Sequence, residues 1–279
     1  MADRDRPVPA AWGIDPAVIA ALRLSRVRQA YEAEDLWTAV LEAEEILDEK
    51  PADVEALELL GDAELDLGHG HEALLVFALL CEMDGRNPAY LSGLGIARFL
   101  SVDFDGALTA AQEALALSPD HAEAHAYAGI ALERLGRVEE ASDHFSQATR
   151  LDPEAFPPPL PLKNIPWTRL LGRALDLLPD EVRDFYRRVP VVWHHFPEAA
   201  VLRAENPPLS PFSLALYEGD PPGEEEPMVD PRSVRAYRGN LARFARDMPR
   251  LEEDFALALA SEAADWLDID LPPRPGGAR

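Results

Sequence analysis

Gly61, Gly95 and Gly129 stand 34 residues apart, and Ala39, Ala73, Ala107 and Ala141 recur at the same interval. That spacing constrains the fold more than composition does, because the unit it marks is too short to bury a core alone and must stack on its neighbours. Small residues at two fixed places in each unit let two helices approach closely. Pro51, Pro119 and Pro153 fall where the second helix has to stop, since proline lacks an amide hydrogen and clashes with the preceding turn. The pattern encodes a repeated helix hairpin, and stacking such hairpins produces a solenoid with a concave groove.

These residues resemble the tetratricopeptide repeat (TPR) family in four units, at about 20–53, 54–87, 88–121 and 122–155. The family's Leu-Gly at the seventh and eighth positions reads Leu60-Gly61 and Leu94-Gly95 here, with Ala128-Gly129 as a variant. Alanine follows at the twentieth position, and Ala43, Phe77, Ala111 and Phe145 occupy the twenty-fourth. The first unit departs with Val27 in place of glycine, and the second with Gly85 in place of proline. The resemblance implies a right-handed solenoid whose groove is lined by the first helix of each unit.

Mapped onto the second unit, the lining positions are Glu55, Glu58, Asp62, Leu65 and Asp66, an acidic patch. In the third they are Ala89, Ser92, Ile96, Phe99 and Leu100, and in the fourth Glu123, Ala126, Ile130, Glu133 and Arg134, so an apolar strip follows. Such a cleft suits another protein or peptide carrying Lys or Arg beside apolar anchors. The competing reading makes the acids a solvated face and places the chain's own C-terminal domain over the apolar strip. TPR grooves that clamp a C-terminal carboxylate use Lys, Arg and Asn there, and this groove has almost none.

Charge points the same way. The formal net charge is −25, which repels phosphate backbones and anionic lipid and so excludes nucleic acid and membranes as partners. Residues 20–155 hold roughly 28 acidic and 9 basic side chains, against roughly 20 and 15 over 156–279. Cys81 is the sole cysteine, which excludes an internal disulfide and fits a reducing compartment. The N-terminal residues lack a signal-like apolar run, and no uncharged apolar stretch long enough to span a bilayer occurs, so a cytoplasmic location is expected.

The second half differs. FPPPLPLKNIPW excludes regular helix and marks a proline-rich linker at 156–168. Beyond it, TRLLGRALDLLPDEVRDFYRRV reads as one or two helices, VPVVWHH and SLALYEG as short strands, and SVRAYRGNLARFAR as a strand running into a helix. Residues 219–231 read as a polar loop, and 251–267 as a helix with Leu251, Phe255, Leu259 and Trp266 close to one face. Residues 1–19 are expected to form an N-terminal extension and 272–279 a disordered tail. Arg232, Arg235, Arg238, Arg243, Arg246 and Arg250 form a locally basic stretch suited to facing the acidic repeats.

The order LPDEVRDFYRRVPVVW, LALYEG, AYRGNLARF, LEEDFALALASEAADWLDID resembles the minimal zincin-like metallopeptidase family, a compact bacterial α+β domain, here over 169–271. In that family the last helix carries His-Glu-x-x-His, whose two imidazoles share a helical face and bind zinc while the glutamate activates the bound water. This chain reads Ser261-Glu262-Ala263-Ala264-Asp265, and Asp268 stands at the turn glycine. The expectation is a mainly α chain, a TPR solenoid followed by a zincin-like domain, acting as a non-catalytic interaction scaffold with no metal and no cofactor. The alternatives are a metal-dependent peptidase using Glu262 and Asp265, and a C-terminal domain that only caps the solenoid.

Overall fold

The computed structural model describes residues 16–219, 231–267 and 269. The tail at 272–279, Asp268, almost all of the 219–231 loop and most of the N-terminal extension lie outside them. The repeats form four hairpins: α1 (Pro16–Glu32) with α2 (Leu36–Glu49), α3 (Val54–Leu67) with α4 (Gly70–Met83), α5 (Pro88–Leu100) with α6 (Phe104–Leu117), and α7 (Ala122–Arg134) with α8 (Val138–Leu151). Side chains cap the starts: Asp35 accepts from the Thr38 amide, Asp53 from Ala56, Asn87 from Ala89, and Asp103 from Gly106. Each satisfies an amide that the first turn leaves unpaired.

The residues that close the hairpins differ from unit to unit, and in the third Gly95 lies against the Ala107 and Ala111 backbone. The Phe77 ring lies over Gly61 and the Phe145 ring over Gly129, where an added Cβ would come within 2.9 Å and 2.6 Å of them. The first unit reverses the arrangement, with Val27 opposite the smaller Ala43 and both fully buried. Between the two helices of each unit one residue adopts a left-handed conformation at the same repeat position: Glu34 (φ 59°), Gly68 (79°), Val102 (62°) and Gly136 (77°). Glycine takes this conformation freely, whereas a β-branched residue is strained by it. Val102 is fully buried, so core packing offsets the strain.

After the repeats, a 3₁₀ turn (Leu162–Asn164) leads into α9 (Trp167–Asp176) and α10 (Asp180–Arg188). The chain continues through β1 (Val191–His194), α11 (Ala199–Leu202), β2 (Ala215–Glu218), β3 (Ser233–Tyr237), α12 (Arg238–Phe244) and α13 (Met248–Leu267). The sheet order is β1-β3-β2, with β1 parallel and β2 antiparallel to the central strand. Leu251, Phe255, Leu259 and Trp266 of α13 are all buried, in one core with Leu170, Val182, Phe185 and Val234. The proline-rich segment joins this domain: Ile165 is buried in its core, and the Leu160 amide donates to the Ala242 carbonyl (3.0 Å). Among the described residues, no helix is long and apolar enough to cross a membrane.

Candidate functional site

The concave positions separate into two groups. On α3, Glu58 accepts a hydrogen bond from the Tyr90 hydroxyl (2.5 Å), Asp66 from the Tyr31 hydroxyl (2.8 Å), and Glu55 pairs with Arg28. On α5 and α7, the Ser92 hydroxyl donates to Glu123 (2.9 Å). Each bond runs between neighbouring units, so the repeat geometry itself orients the carboxylates. Water reaches Asp62, yet the concave wall withdraws enough solvent that burial, reinforced by Glu123, Asp66 and Glu58, lifts its pKa to about 6. Burial first, then Glu123 and Asp66, also raises the pKa of Tyr127. Leu65 is half-buried at the margin of this patch.

Farther along, the groove is closed. Phe99 is fully buried, and Ile96, Leu100 and Ile130 nearly so. Phe99 and Ile130 share a core with Leu202 of α11, against which Leu209, Phe212 and Leu216 also pack. The Phe99 and Phe212 rings stand 5.0 Å apart. Leu100 turns toward the second unit, where it crowds Gly70. The chain's own C-terminal domain thus covers Phe99 and Ile130 of the apolar strip.

Polar contacts pin this cover. Arg134 Nη2 donates to the Pro211 carbonyl (3.0 Å) and to Asn240 Oδ1 (2.6 Å), while the Asn240 amide donates to Pro211 and Ser213. Glu133 pairs with Arg243, and Arg203 donates to the Val102 carbonyl at the strained turn. Arg134 stacks 3.7 Å from the Phe196 ring centroid and Arg243 4.2 Å from that of Phe145. Desolvation pulls the Arg134 pKa down to about 9; Glu133 opposes that shift and Arg243 adds to it. His195 sits among Arg134, Arg238 and Arg243, and burial first, then those cations, holds its pKa below the usual histidine value despite Glu133.

Sequence reasoning names Glu58 and Asp66 but not the hydroxyls they accept from. Tyr31 and Tyr90 lie on the first helices of the units flanking the second, and their bonds to carboxylates about one repeat away become visible only when adjacent units are read together. The 199–216 segment carried no comparable signal.

On α13, Glu262 Oε2 accepts the Tyr217 backbone amide (2.8 Å), which points away from β3. Glu262 therefore satisfies the outer edge of β2, and its charge adds to the burial that raises the pKa values of Tyr186 and Tyr237, the latter to about 12. The Ser261 side chain is half-exposed, and the Asp265 side chain lies outside the described residues. The zinc that the zincin resemblance implies takes imidazole, thiolate or carboxylate ligands. Ser261 is a poor neutral ligand, and Glu262 is engaged by backbone. The seven histidines are placed elsewhere: His194 lies beside the Tyr237 ring, His195 is at the domain junction, His125 contacts His144 (3.0 Å), His69 contacts Glu64 (2.6 Å), His121 caps α7, and His71 is exposed in the first turn of α4. Among the described residues, no three His, Cys, Asp or Glu side chains converge as a metal site. The donors among the described residues do not fit zinc.

No curated protein matches the chain. Similar solved structures include a crystal structure of MamA protein, 21% identical over 49% of this chain and 75% of that one, with a TM-score of 0.44. Others are TTC0263, a thermophilic TPR protein in Thermus thermophilus (24%, 48% and 74%, TM-score 0.44), and MamA 41-end from Desulfovibrio magneticus RS-1 (20%, 48% and 75%, TM-score 0.45). Two family profiles match: tetratricopeptide repeat over residues 94–156, and zincin-like metallopeptidase over residues 186–271. The chain carries a tetratricopeptide repeat joined to a zincin-like metallopeptidase domain, within a helical solenoid that ends in a small three-stranded α+β unit.

Proposed function

We propose that this protein is a non-catalytic protein–protein interaction scaffold whose open groove binds a basic polypeptide segment, and that its peptidase-like domain is inactive. One observation carries the reading: Asp62 stands among Glu58, Asp66 and Glu123, and its ionised form is disfavoured until a cation arrives. A Lys or Arg side chain supplies that cation, and the hydroxyls of Tyr31 and Tyr90 hold two flanking carboxylates in place before it does. Preorganisation of this kind lowers the ordering cost of binding. An apolar anchor on the partner meets Leu65, because the strip beyond is covered. Inactivity is supported by the donor set: without imidazole ligands there is no polarised water for Glu262 to deprotonate. The single cysteine suits a cytoplasmic setting.

The test is titration of a fluorescent Lys/Arg nonapeptide into the full chain. Micromolar binding lost in Glu58→Lys and Asp62→Lys supports the groove; retention in both variants overturns it. Peptide hydrolysis by zinc-supplemented protein, abolished in Glu262→Gln, would overturn the inactive domain and revive a peptidase with an unconventional metal site.

A further inference from the structure

The second helices of the hairpins carry the convex surface, and there the units differ. In α4, Leu75, Leu79 and Met83 follow one another at four-residue steps on one face, all exposed. Leu41 occupies the place of Leu75 one unit earlier, and Leu117 that of Met83 one unit later; both are exposed. Trp37 precedes Leu41 by one turn and reaches the start of α4, its ring centroid 5.3 Å from that of His69. Trp37, Leu41 and Leu75 each expose 60% or more of their surface. In the third and fourth units the places of Leu75 and Leu79 are taken by Thr109, Glu113, Asp143 and Gln147. The apolar stripe is therefore a property of particular units and not of the repeat. Its side chains lie on α2, α4 and α6, and along α4 alone Leu75 to Met83 runs about 12 Å, roughly two turns of helix.

Its surroundings select the occupant. Exposed Glu44, Glu45 and Asp48 of α2 and Glu72 and Glu82 of α4 lie beside the stripe. A second copy of this chain would bring like charges into opposition, on top of the repulsion between two bodies of net charge −25. Anionic lipid is repelled for the same reason. We infer that the convex face of the first two units docks a basic amphipathic helix, Leu-rich on one face and Lys-rich on the flanks. This surface is independent of the concave one, so a single chain holds two basic elements on opposite faces.

The probe is a fluorescein-labelled 18-residue Leu/Lys amphipathic helix, followed by anisotropy with the full chain. Leu75→Glu and Leu79→Glu are expected to weaken binding roughly tenfold or more each, because each places a charge against an apolar contact. The titration is run with excess unlabelled Lys/Arg nonapeptide occupying the concave groove, and the helix is expected to stay bound. Unchanged binding in both leucine variants, or displacement of the helix by the nonapeptide, overturns the inference. Two other outcomes also overturn it, by assigning the stripe to a different occupant. One is concentration-dependent dimerisation in sedimentation velocity that Leu75→Glu abolishes. The other is co-sedimentation with phosphatidylcholine vesicles that the same variant abolishes.

Discussion

In the second unit the concave carboxylates face water, and two of them, Glu58 and Asp66, are held by tyrosine hydroxyls from adjacent units. In the third and fourth units the equivalent face lies beneath a domain of the same chain. The backbone is the same hairpin in both places, so the difference comes from side chains. Carboxylates keep their hydration and exclude an apolar cover, whereas Phe99 and Ile130 gain by leaving water and recruit Leu202, Leu209 and Phe212 to do so. Part of a repeat groove can thus serve folding while the rest remains free for binding.

The largest effect should come from the closed side. Arg134→Ala removes a buried guanidinium that bridges Pro211 and Asn240, and is expected to cost about 3 kcal/mol in urea unfolding. A loss below about 0.5 kcal/mol would mean that the cover contributes no appreciable stability. Phe212→Ala, which takes away the ring above Phe99, should cost about 2 kcal/mol and expose an apolar surface measurable by ANS fluorescence.

Asp62→Asn probes the open side through pH. The folded-state pKa of Asp62 is raised to about 6 from 3.8, so the ionised carboxylate is a liability that is fully present above pH 6 and fades as pH falls toward the unfolded value. The variant should be more stable than wild type at pH 8, with the gap closing between about pH 6 and pH 4 in paired thermal melts. Capture of a basic peptide should follow the opposite course, weakening as pH drops through about 6 while Asp62 takes up its proton. The smallest effect is expected for Glu55→Ala, whose exposed pair with Arg28 should change stability by no more than about 0.5 kcal/mol.

The hairpins are legible in the sequence because their determinants are local: Gly61 with Phe77 and Gly129 with Phe145 lie sixteen residues apart inside one unit. The strands and the buried face of α13 are legible for the same reason, since alternation and helical period are short-range signals. The closed half of the groove is not, because its contacts join Arg134 to Asn240 across 106 positions and Glu133 to Arg243 across 110. No periodicity announces such pairs. The left-handed turn falls between these cases: Gly68 and Gly136 mark it, while Glu34 and Val102 hide it behind side chains that rarely adopt that backbone.

The one-sided attachment of the C-terminal domain has a mechanical consequence. Units in a solenoid touch only their neighbours, so a stack anchored at one end behaves as a cantilever. The fourth and third units are clamped through Arg134, Glu133 and the Val102 carbonyl, and freedom grows toward the first. Fraying should begin at α1 and α2 and travel inward, and hydrogen exchange should slow from the first unit to the last. The arm that carries the open carboxylates is thus also the arm that bends, and a ligand bound there would stiffen the lever at its loose end.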